Sequence, residues 1–93
     1  MNEEIRKLNE EIKDLEKDYW NMKYDYEDKK TELLLNTDFG AEIGKAKPTV
    51  AEKEAYIEQN IGELRLYYRE LRAELESKKR LFQVMLTELG DNE

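Results

Sequence analysis

The side chains here that could do chemistry are nearly all carboxylates, ammonium groups and guanidinium groups: 23 Asp and Glu against 16 Lys and Arg, with no histidine and no cysteine. Those two absences remove the commonest general base, the thiolate nucleophile and most zinc and iron ligand sets. A di-iron helical bundle needs Glu-x-x-His on two helices, which this composition cannot supply. A catalytic carboxylate pair needs a pocket to perturb it, and solvated helix surfaces do not make one. The expectation is therefore a chain that is not an enzyme, with no cofactor and no metal.

Two charge stripes stand out by spacing. Asp14, Asp18, Asn21, Asp25, Asp28 and Glu32 alternate by four and three residues, which places them on one helix face. Aspartate is a poor helix former, and Asp14/Asp18 and Asp28/Glu32 repel at the i,i+4 spacing, so the stripe costs stability. Two readings stand: a solvated face, or an acidic strip offered to a basic groove in imitation of a phosphate backbone. The second stripe is Arg65, Arg69, Arg72 and Lys79, with Lys78 and Arg80 alongside and Glu76 interrupting. Tyr67 and Tyr68 lie close by in sequence, the basic and aromatic mix that stacks on single-stranded bases. Here the readings are ion pairing with acidic helix faces or a nucleic-acid face. A net charge of −7 opposes bulk binding to nucleic acid or anionic lipid.

Two shorter strings lack their context. The stretch from Gly40 to Lys45 has three residues between its glycines, no following Ser or Thr and no strand before it, so it is not a phosphate-binding loop. Asp38-Phe39-Gly40 matches the kinase magnesium triad, but the rest of the kinase set is missing.

The elements that must position the stripes are two long helices. Ile57, Ile61, Leu64, Tyr68, Leu71, Leu75, Lys78, Phe82, Met85 and Leu89 repeat at the 3.5-residue period of a helix laid along a partner. Ile5, Leu8, Ile12, Leu15, Tyr19, Met22, Tyr26, Lys29 and Leu33 do the same. The lysines inside the seams, Lys29 and Lys78, either fix register or snorkel to the rim. Expected are a helix over about 2–35, a loop over 36–48 and a helix over about 49–89, about 50 and 60 Å long at the standard rise. Asn36 or Gly40 is expected to end the first helix, and Gly90 the second. Thr49 and Glu52 have the spacing of a capping box. The fold class is all-α: an antiparallel two-helix hairpin, coiled-coil-like, with Glu16 opposite Arg72, Lys30 opposite Glu58 and Glu32 opposite Lys53. Tyr19, Trp20, Tyr24 and Tyr26 then lie level with Tyr56 to Tyr68 as a belt.

A two-helix hairpin buries only a narrow stripe. In this register the second helix overhangs the first, leaving Leu81, Phe82, Met85, Leu86 and Leu89 uncovered. Surplus apolar surface of this kind marks an interface, so dimerisation into a four-helix arrangement is expected. The chain has no apolar run of signal-peptide or membrane-span length. With no cysteine, a cytoplasmic location without membrane association is the expectation.

The stretch from Leu33 to Phe39, then Gly44-Lys45, then Pro48 to Ile57 resembles small acidic helical proteins encoded by phages and prophages of Gram-positive bacteria. The resemblance covers the loop and its flanks, and the long helices match in style alone. It implies a phage setting in the host cytoplasm and carries no catalytic residues. If recognition centres on the loop, the candidates are Asp38, Phe39, Lys45 and Lys47. The leading functional expectation is a non-catalytic interaction protein that modulates or inhibits a host protein through the acidic face (Asp14, Asp18, Asp25, Asp28, Glu32) or the hairpin tip. The alternatives are a nucleic-acid-binding accessory protein of phage replication or recombination, using Arg65, Arg69, Arg72 and Lys79, and a structural coiled-coil spacer.

Overall fold

The two heptad seams zip together. In the computed structural model, which describes residues 3–91, α1 spans Glu3–Asn36, α2 spans Phe39–Ile43 and α3 spans Val50–Asp91. The two long helices run antiparallel in a rod of 69 × 18 × 14 Å. Ile5, Leu8, Ile12, Tyr19 and Tyr26 of α1 are buried, as are Ile57 and Leu75 of α3. Leu8, Ile12 and Leu75 form an aliphatic cluster towards the open end, with Leu15, Phe82 and Met85 packed on it. The expected starting residue Asn2 lies outside the described residues, as do Asn92 and Glu93.

An aromatic layer fills the middle. Tyr68 sits between Tyr19 and Tyr26, with ring centroids 6.0 and 5.5 Å away. The expected belt is present on α1, but its α3 side is Tyr68. Tyr56 lies beyond it, against Phe39 at the tip. Such edge-on and tilted contacts fit the quadrupoles of the rings.

The tip is built by polar caps. Asp38 accepts a hydrogen bond from the Ala41 amide at 3.2 Å and so caps α2. Gly44 ends α2 in the left-handed region, φ +80°, where a side chain would be strained. Asn36 and Gly40 do not adopt that conformation; α1 ends with the Thr37 amide donating to the Leu33 carbonyl. Gly90 does not end α3 either, because the helix continues to Asp91. The capping box forms as spaced: the Glu52 amide donates to Thr49 Oγ1 and the Thr49 amide to Glu52 Oε1, both at 3.2 Å. Lys45 Nζ adds a third contact, 2.9 Å from Glu52 Oε1.

The ion pairs depart from the expected register in part. Glu16 meets Lys79 at 2.8 Å, one heptad beyond Arg72, whereas Glu11 meets Lys78 at 3.0 Å, close to the expected offset. Arg72 instead pairs with Glu76 and Glu58 with Arg65, both within α3, and Lys53 lies over the Phe39 ring. At the tip, Phe39 of α2 packs on the first turns of α3, against Tyr56 and Lys53. Phe82 and Met85 pack inside the hairpin, whereas Leu81, Val84, Leu86 and Leu89 stay exposed.

Candidate functional site

In an antiparallel pair, the stripes flanking each seam meet on opposite sides of the rod, and the grooves between the helices show which side chains share a side. One groove is lined by Glu16, Tyr19, Trp20 and Lys23 of α1 with Arg72, Leu75, Glu76 and Lys79 of α3. The opposite side carries a groove of Glu11, Asp14, Leu15, Glu74 and Lys78, and nearer the tip one of Lys29, Glu32, Leu33, Asn60 and Ile61. Helical spacing extends each stripe. Arg65 and Arg69 continue the line of Arg72 and Lys79, whereas Glu63, Glu70 and Tyr67 continue that of Glu74.

The hairpin thus sorts its charge. One long face gathers Asp14, Asp18, Asp25, Asp28 and Glu32 from α1 with Glu63, Glu70 and Glu74 from α3. Among the described residues, Asp14, Asp18, Asp28 and Glu32 carry no ion pair, and all four are exposed. Asp25 has Lys29, 3.3 Å away on the same helix. The lysines of the seams both reach the rim: Lys29 is exposed, and half-buried Lys78 extends to Glu11.

The other long face is basic and mutually paired. Lys79 bonds Glu16 across the helices, Arg72 bonds Glu76 at 3.1 Å, and Arg65 bonds Glu58 at 2.6 Å. The last pair spans two turns and is made possible by Gly62, because a Cβ there would lie 2.9 Å from the Glu58 carboxylate. Arg65 Nε is buried without a hydrogen-bond partner beside that pair. Arg69 is exposed and carries no ion pair among the described residues. The tyrosines expected beside this stripe are elsewhere: Tyr68 is inside the seam and Tyr67 is on the acidic side. The aromatic neighbours come from α1. Trp20, 45% exposed, stacks edge-on with Tyr19 at 5.2 Å and tilts against Tyr24 at 5.8 Å. Lys23 Nζ lies 5.1 Å from the Trp20 ring centre.

The tip candidates are mostly spent on structure. Asp38 is a cap, Phe39 is buried against Tyr56, and Lys45 binds Glu52. Lys47 alone of the four is exposed without a structural contact among the described residues. The Glu52 carboxyl is held below the ordinary glutamate range, first by the Lys45 hydrogen bond and then by the Thr49 amide.

Both charge stripes are legible in the sequence, but the α3 acids beside the acidic stripe and the placement of Trp20 and Lys23 beside the basic one are not. Writing the two heptads antiparallel, with like flanking positions facing each other, would have joined them. No family model, curated protein or solved structure matches this chain. The loop resemblance rests on its residues alone. No described helix is long and apolar enough to cross a membrane, and the described residues hold no group of three or more metal-ligating side chains.

Proposed function

We propose that this protein is a non-catalytic interaction module whose acidic long face docks on a basic surface of another protein. One observation carries the reading: Asp14, Asp18, Asp28 and Glu32 of α1 are exposed and carry no ion pair among the described residues, while Arg65, Arg72 and Lys79 of the opposite face each pair with a glutamate. A face kept only for solubility gains from mixed signs. Here like charges repeat at four-residue spacing at a cost to the helix, which suits a surface whose counter-charges arrive with a partner. Charge complementarity of this kind speeds encounter and excludes wrong partners. A modulator of a host protein in a phage setting fits this reading. The tip carries it less well, because Asp38, Phe39 and Lys45 are engaged in the turn.

The reading is tested by affinity capture with wild type, an Asp18→Lys/Asp25→Lys variant and an Arg69→Glu control. The expected result is capture of basic proteins that the double reversal loses and the control retains. Identical captures by wild type and the reversal variant would overturn it.

Self-association belongs to the same proposal. Leu81, Val84, Leu86 and Leu89 at the open end are exposed, and a second copy covering them would make a four-helix arrangement. Light scattering at micromolar concentration is expected to give twice the 11.2 kDa chain mass, and a mass of 11.2 kDa would end the dimer proposal.

A further inference from the structure

We propose that the face opposite the acidic one is a second binding site, for single-stranded nucleic acid, in which Trp20 and Tyr24 stack on bases and Lys23, Arg69, Arg72 and Lys79 meet phosphates. The inference goes beyond the acidic-face reading and uses none of its residues, so either can fail alone.

Three observations carry it. The first is placement: Trp20 and Lys23 of α1 and Arg72 and Lys79 of α3 line one open groove, although they are distant in sequence. The second is the state of the aromatics. Tyr19 and Tyr68 are spent in the interhelical layer, but Trp20 and Tyr24 remain exposed next to each other. Exposed aromatic rings beside cations are what a flexible polyanion with planar bases requires. The third is charge. Arg69 is unpaired among the described residues, and Lys23 touches only rings, not a carboxylate. Arg72 and Lys79 sit in exposed pairs with Glu76 and Glu16, and such pairs are weak enough to exchange for a phosphate. An acidic protein segment would satisfy the cations equally well but would leave the two adjacent exposed rings unused.

The acidic character of the whole chain sets the expected behaviour. With a net charge of −7, binding should be weak and strongly salt-dependent. Four phosphate contacts, at a slope of about −0.7 each, imply a loss of roughly 50-fold in affinity between 50 and 200 mM salt.

The chain holds a single tryptophan, so Trp20 fluorescence reports the site directly. We would titrate the full chain with a twelve-residue oligothymidylate, with inorganic polyphosphate and with polyglutamate. The expected result is saturable quenching by the oligothymidylate only, weakened at least tenfold by Arg69→Ala/Arg72→Ala and strengthened by Glu76→Gln. A Tyr24→Ala variant, which keeps the reporter and the seam, should weaken binding about fivefold. No quenching at 50 mM salt would overturn the proposal. Equal quenching by polyphosphate would replace it with a plain anion site, and equal quenching by polyglutamate with a site for acidic protein segments.

Discussion

The two long faces of the hairpin are made from the same residue types and differ in where the countercharge sits. On the basic face each of Arg65, Arg72 and Lys79 has a glutamate within 3.1 Å. On the acidic face Asp14, Asp18, Asp28 and Glu32 have none among the described residues. Exposed pairs add at most about 1 kcal/mol each, so neither arrangement decides the fold. The difference lies in how much of each face is already neutralised within the chain: more of the basic face than of the acidic one. The seam between them sets the stability, and both faces depend on it.

The largest effect should come from breaking what the faces share. Ile57, only 2% exposed, is the most deeply buried hydrophobic side chain among the described residues, and Ile57→Ala removes contacts worth about 2–5 kcal/mol. In a rod with so narrow a core, circular dichroism should show the helices largely melted at 37 °C. A melting temperature within a few degrees of wild type would mean the seam matters less than its burial implies.

The faces should then separate. Asp28→Ala removes a like-charge neighbour of Glu32 and a poor helix former, and should raise stability by about 0.5–1 kcal/mol. Glu16→Ala on the other face frees Lys79 and should lower stability by up to about 0.5 kcal/mol, the gain in helix propensity offsetting part of the lost pair. Denaturant midpoints that move in these opposite directions would support the contrast, and equal shifts would erase it.

The tip should be indifferent to both faces. Thr49→Ala removes the cap on α3 and should cost about 1 kcal/mol, with faster amide exchange confined to the first turn of α3. Glu52 gives this region its own pH dependence. Its carboxyl is lowered in the folded chain, so its contribution is complete above the ordinary glutamate value of 4.5 and fades as pH falls through the lowered value. Lys45→Ala should remove most of that dependence, which a comparison of amide exchange at pH 6 and pH 3 would reveal.

The smallest effect concerns Gly62. Gly62→Ala gains helix propensity of up to about 1 kcal/mol but displaces the Glu58 carboxylate from Arg65. A rise in melting temperature of a few degrees is expected, because the displaced group is the mobile end of a side chain. A fall would show that the Glu58–Arg65 pair contributes more than an exposed pair should.

The helices were legible because their seams are long and regular, with strong formers between the apolar positions. The capping box was legible because Thr49 and Glu52 act within one turn. The register was not, because seams that repeat every heptad fit one another at more than one offset. At the open end Phe82 and Met85 are half-buried against the cluster of Leu8, Ile12 and Leu75, whereas Leu81, Leu86 and Leu89 are exposed. The charge sorting was hidden for a related reason: no single helix contains it. Asp14 and Glu74 become neighbours only once the chain has folded back on itself.

The most direct test of the acidic face is an amide chemical-shift map of the isotope-labelled chain titrated with a captured basic partner. The largest shifts should run along Asp14, Asp18, Asp25, Asp28 and Glu32 of α1 and Glu70 and Glu74 of α3, with the tip and Trp20 unmoved. Shifts centred on Lys45 and Lys47, or on Trp20 and Arg72, would contradict the account and assign recognition to the tip or to the basic face.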